Sequence, residues 1–273
     1  MGSKDSFTGG GGPIGDVLRE GIDDWIANLP GGSDSAPPAD NTGEQPIPSA
    51  EQGAAHAISG APGQLSPRAR RVAKTALLFR TSSGTGSTAR KGAAAQFPRS
   101  TAASARAAGR GAAAAYAYRT GNAEALEEFG LDYESLRANP NVFDVVAQIV
   151  AAVCEELPDQ IESDEQRHVV AEVSEWVVTT NDGGTAPTPA QIGEETLAVV
   201  LTWAYLTTTT AELNSKSLSG TERVAFEREV RSACEELASH ANINPSNPTA
   251  EQFISAVENG LEYLQAVYGG DND

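Results

Sequence analysis

The side chains that do most enzyme chemistry are scarce in these 273 residues: three histidines, His56, His168 and His240, and two cysteines, Cys154 and Cys234. None stands in a metal-ligand spacing such as CxxC or a histidine pair one helical turn apart. His168, within Asp164-Glu165-Gln166-Arg167-His168, reads as a helix-surface residue rather than a base. Both cysteines read as buried helix residues, and Cys154 reads as inert because it precedes Glu155 and Glu156, whose charge disfavours the thiolate that a nucleophile needs. Ser82-Ser83-Gly84-Thr85-Gly86-Ser87-Thr88, ahead of Arg90 and Lys91, has the composition of a phosphate cradle. It lacks GxxxxGK[ST] and a preceding strand, and reads as a linker. The adjacent pairs Glu155-Glu156, Glu194-Glu195 and Glu235-Glu236 diverge on a helix instead of converging on a metal, and read as solvated faces. The expectation is a non-catalytic chain without metal or cofactor.

Two features keep a chemical rationale. Arg68, Arg70, Arg71, Lys74, Arg80, Arg90, Lys91, Arg99, Arg106 and Arg110 lie in a stretch with no acid between Glu51 and Glu124. Arginines without competing carboxylates can grip phosphate and release counter-ions, which makes nucleic acid one reading. Neutralisation of the acidic remainder of the protein, or of a complex, is the reading we favour. The second feature is Gly2. Removal of Met1 leaves its amine unhindered, suited to acylation or amidation.

The elements that would position these groups follow from charge and periodicity. The net charge of -18 hides three regions: residues 1–65 carry Lys4 and Arg19 against nine carboxylates, residues 66–119 carry eleven basic residues and no acid, and residues 120–273 carry six basic residues against 28 acidic. Such an excess argues against whole-molecule binding to nucleic acid or an anionic membrane. With Lys4, Lys74, Lys91 and Lys216 as the only lysines, it fits adaptation to high internal salt, where counter-ions screen self-repulsion. No run of 18 apolar residues and no apolar signal core appear, so a soluble, cytoplasmic protein without a membrane partner is expected.

Residues 1–65 are too poor in apolar side chains to offset ordering entropy and are expected to be largely disordered, as is the tail 269–273. One island interrupts the arm: Ile14, Leu18, Ile22, Trp25 and Ile26 recur at helical spacing over about 13–29. Such a helix is marginal alone, so it should dock on its own core or in a partner's groove. Residues 66–119 read as a basic, alanine-rich helical segment in which Gly109 and Gly111 permit close approach of a neighbour. From 120 to 268 the punctuation predicts an acidic bundle of about six helices. Thr188, Ser219 and Thr249 each stand three residues before Gln or Glu, opening helices over about 191–213, 221–241 and 250–267. The fold class is all-α, with no strand-like alternation.

Several stretches carry a resemblance: Met1-Gly2-Ser3 with Ser6-Phe7-Thr8 and a Gly/Pro-rich segment through Pro13, then Phe79-Arg80, Ala115-Tyr116, Phe129-Gly130-Leu131, Leu136, Pro140-Asn141-Val142-Phe143 and Val153-Cys154. In this order they resemble the B component of the Qat anti-phage defence systems, in a halophilic prokaryote. The resemblance implies a non-catalytic, mostly helical adaptor. Its implied partners are a QueC-like enzyme of 7-deazaguanine chemistry, an ATPase and a TatD-like nuclease, with Gly2 as the amine presented to the QueC-like enzyme.

Overall fold

The computed structural model describes residues 22–23, 25–26, 65–75, 97–154, 161–181, 185–216, 218–245 and 247–268. Among them the chain is all-α, with no strand. Beyond the helical residues Ile22, Asp23, Trp25 and Ile26, the helices are α1 (Pro67–Thr75), α2 (Phe97–Thr120), α3 (Ala123–Glu127), α4 (Tyr133–Ala138), α5 (Val142–Val153), α6 (Ile161–Thr179), α7 (Pro189–Ser215), α8 (Gly220–His240) and α9 (Ala250–Tyr268). The expected disorder of the arm and tail falls almost wholly on residues outside the described set.

Helix α2 precedes the acidic helices in sequence but lies among them in space, packed on α6, α9, α7, α5 and α3. Its alanines explain this. Ala105, Ala108, Ala112, Ala114 and Ala115 are fully buried, and their neighbours on several sides are buried too. A helix that is small all round lets several others approach closely, so the apolar area comes from the partners rather than from α2. At Gly109 an added Cβ would stand 2.8 Å from the backbone nitrogen of Ile254 on α9, and at Gly111 it would stand 2.8 Å from Val170 Cγ1 on α6.

The caps act as their spacing predicts. Thr188 and Gln191 open α7, and Ser219 and Glu222 open α8, each with reciprocal side-chain to backbone bonds. The two bonds from Ser219, side chain first and then backbone, hold Glu222 below the usual carboxylate range. Thr249 accepts from the backbone N–H of Gln252 at 3.4 Å. Between Leu126 and Leu136 the chain forms two short helices, because Gly130 takes a left-handed φ of 72° and the Asp132 side chain restarts the chain by accepting from Glu134 N–H. Helix α5 stops at Val153, where Cys154 caps it in an extended conformation. Long α7 buries threonines without orphaning them: Thr196, Thr202 and Thr209 donate to the carbonyls of Ile192, Ala198 and Tyr205 one turn back.

Candidate functional site

Among the described residues of the arm, Ile22, Trp25 and Leu65 are buried in the core. Ile22 is fully buried and Trp25 is 1% exposed, while Ile26 packs half-buried beside them. The Trp25 ring lies 4.9 Å from Phe226 on α8 and 6.1 Å from Tyr205 on α7, centroid to centroid and tilted in both cases. Its indole N–H donates to one carboxylate oxygen of Glu229. The other oxygen of Glu229 pairs with Arg68 of α1 at 3.0 Å. Asp23 meets Lys216 at the end of α7, and Glu212 pairs with the same ammonium at 3.3 Å. The bond from Asp23, first among several contributions, raises the pKa of Lys216. Glu229, 14% exposed, therefore ties three separate stretches of chain.

Helix α1 is held by a second glutamate on the same face of α8, two turns on: Glu236 accepts the Ser66 backbone N–H at 2.6 Å, at the positive end of α1. Ser66 Oγ accepts from Ala69 N–H at 3.1 Å as its cap. Of the arginines expected to form a basic patch, Arg106 pairs with Glu258 of α9 at 3.2 Å. Arg119, in the same stretch, donates to the Thr180 carbonyl at 3.1 Å. Arg70 is exposed, while Arg71 and Arg110 are half-buried. Lys74 and Arg99 lie in α1 and α2, their side chains outside the described residues, as are Gly2, Ile14, Leu18, Arg80, Arg90 and Lys91.

A second junction went unread in the sequence. Arg231 of α8, 22% exposed, spends its guanidinium on Glu172 of α6, Glu195 of α7 and Glu235 of its own helix. Glu172 also accepts the Trp203 indole N–H, and His168 stacks on Trp203 at 5.2 Å and 12°. The expectation that Glu194-Glu195 forms a solvated face therefore fails for Glu195, which is 13% exposed and points into the bundle. Burial pushes its pKa up, and Arg231 does not offset this because Glu235 and Glu172 crowd the same cation. Arg231 itself is raised: burial works against its charge, and the pull of Glu195 and Glu172 outweighs it. The one available signal was that residues 120–273 contain only six basic side chains, Arg231 among them.

Neither thiol is activated. Burial pushes Cys154 up, opposed by the nearby Arg167 and Arg110. Burial pushes Cys234 up to about 12, opposed by a hydrogen bond with Thr202. His168 is exposed, and among the described residues no three His, Cys, Asp or Glu side chains converge in a way that could hold a metal ion. Nor is any helix among them long and apolar enough to cross a membrane. No protein-family model, curated protein or solved structure matches the chain.

Proposed function

We propose that the chain works by binding, as the adaptor and protein-substrate component of a cytoplasmic, multi-protein anti-phage defence complex. It presents Gly2 to a QueC-like enzyme of 7-deazaguanine chemistry, with an ATPase and a TatD-like nuclease as further partners. One observation carries the reading: the arm that bears Gly2 is pinned to the helical body at Ile22 and Trp25. Nineteen residues lie between Gly2 and Ile22, so chain geometry lets the amine reach at most about 70 Å from its anchor. That span is enough to enter another protein's active site while the body stays docked. QueC-type enzymes activate a carboxylate with ATP and pass it to an amine, and an unhindered glycine amine is a suitable acceptor.

A role for residues 68–119 in gripping nucleic acid draws less support. Arg68 and Arg106 have carboxylate partners within this chain, which favours internal neutralisation.

Intact mass of the protein purified with its partners tests the substrate part, with a mass increase mapping to Gly2 expected. An unmodified Gly2 in an active complex would overturn it, and failure to co-purify with the QueC-like enzyme would overturn the adaptor part. Gly2→Pro should change stability by less than about 0.5 kcal/mol, the range of uncommitted positions, yet abolish defence.

A further inference from the structure

Helix α5 is apolar on more sides than the bundle covers. Its only polar side chains are Asp144 and Gln148, a composition that ordinarily belongs to a helix buried all round. It packs chiefly on α6 and α2, with Val145, Ile149 and Val153 in the core. The opposite face is open: Phe143 is 70% exposed, and Ala147 and Ala151, one and two turns on, are exposed as well. Phe143 is held in place from its own backbone, whose N–H is bound by the Asn141 side chain at 3.1 Å, so presenting the ring costs no further ordering. We propose that this face is the contact between two copies of the chain, α5 packing antiparallel on its counterpart about a two-fold axis at Ala147.

Shape, polarity and charge all point to a second copy as the occupant. Phe143, Ala147 and Ala151 form one row at four-residue spacing, the ridge that crossing helices interdigitate. The row runs large, small, small, so it complements itself when reversed: each Phe143 ring lies over Ala151 of the other copy, and the two Ala147 meet at the axis. A parallel pair would set ring against ring and leave the alanines apart. The same reversal brings the neighbouring row beside itself, with Asp144 about 3 Å along the helix axis from Gln148 of the second copy. Gln148 donates one amide hydrogen to the Asp144 carbonyl of its own helix at 3.3 Å and keeps the other for that carboxylate. A basic partner protein would find its counter-charges elsewhere, on α3, α4 and the turn between them, where Glu124, Glu127, Glu128, Asp132 and Glu134 are exposed. On α5 the single acid leaves few like charges opposed when two chains of net charge -18 approach. Twelve residues make a helix about 18 Å long, so the contact is small for a specific interface and its affinity modest. Repulsion between the two chains weakens it further until salt shortens the screening length to about 3 Å near 1 M. The inference rests on α5 alone and stands apart from any role of Gly2.

Sedimentation equilibrium of the full chain, from micromolar to millimolar protein in low salt and in molar KCl, tests the proposal. A reversible monomer–dimer equilibrium is expected in molar KCl, weakened at least tenfold in low salt. Phe143→Asp should weaken the dimer at least a hundredfold. It should leave the melting temperature of the monomer unchanged or slightly higher, because the ring is exposed in the single chain and an acid suits the first turn of a helix. The register is read by cross-linking. Ala147→Cys should form a disulfide with itself on mild oxidation. Phe143→Cys should not, since eight helical residues set its two copies about 12 Å apart, beyond the roughly 7 Å between Cα atoms that a disulfide spans. The native Cys154 and Cys234 are buried and do not compete. A monomer under all these conditions, or a dimer indifferent to Phe143→Asp, overturns the proposal. A Phe143→Asp monomer that melts lower makes the occupant another segment of the same chain and overturns it too, as does faster self-cross-linking of Phe143→Cys than of Ala147→Cys, which makes the pairing parallel.

Discussion

Replacing Gly109 by alanine sets two effects of opposite sign on one atom. In an exposed helix interior the exchange stabilises by about 1 kcal/mol, because glycine loses more backbone freedom on folding. In the centre of α2 the new Cβ would lie 2.8 Å from the backbone nitrogen of Ile254, 2.8 Å from its Cγ1 and 3.0 Å from its Cα. Two of those three atoms are backbone and cannot rotate aside. The crossing with α9 must therefore open by about half an ångström, loosening the contacts of Phe253 and Val257, both fully buried. Overpacking of a dense core costs roughly 1–3 kcal/mol and outweighs the propensity gain. We expect a net loss of up to about 2 kcal/mol, read as a lower urea midpoint with an unchanged slope in a CD titration. For a domain of this size that corresponds to a melting temperature lower by up to roughly 8 °C. Gly220→Ala is the internal control: nothing lies within 4 Å of its added Cβ, so it should be neutral or slightly stabilising. Gly111→Ala should fall between the two, since its nearest obstruction is a methyl of Val170. If Gly109→Ala gains stability as Gly220→Ala does, the close crossing of α2 and α9 is wrong.

Arg231→Met removes the one cation shared by Glu172, Glu195 and Glu235 and should cost about 2–4 kcal/mol in chemical denaturation, below the full penalty of a buried charge because the cluster is partly wet. Glu195 has a folded pKa above its unfolded value, so the folded state binds the extra proton and stability should fall as pH rises from about 4.5 through the raised value. Glu195→Gln should flatten that part of the difference curve, and an unchanged curve would remove burial as the cause. Cys154 and Cys234 should resist iodoacetamide at pH 8 in the folded protein and react together on unfolding. Self-repulsion among the 28 carboxylates of residues 120–273 should make the melting temperature climb from low salt to molar KCl, and a flat response would remove the salt-adapted reading.

The helical class, the capped starts at Thr188 and Ser219, the buried cysteines and the close approach at Gly109 and Gly111 were all legible in the sequence. Each rests on interactions within one turn, or on a residue type with one main use, so no knowledge of neighbours is needed. The break at Gly130 is equally local, set by one residue that tolerates a left-handed φ. The junctions were a different matter. Nothing in Glu194-Glu195 distinguishes a solvated pair from one that sends Glu195 to a cation 36 residues away. Nothing around Trp25 chooses between a partner's groove and a carboxylate 204 positions along the chain. The alanine-rich α2 offers little apolar area of its own, and its central place follows only once helices close enough to use its smallness are packed around it. Such pairings depend on which helix faces meet, and in this chain that is decided by packing among helices far apart in sequence, where local propensity has no reach.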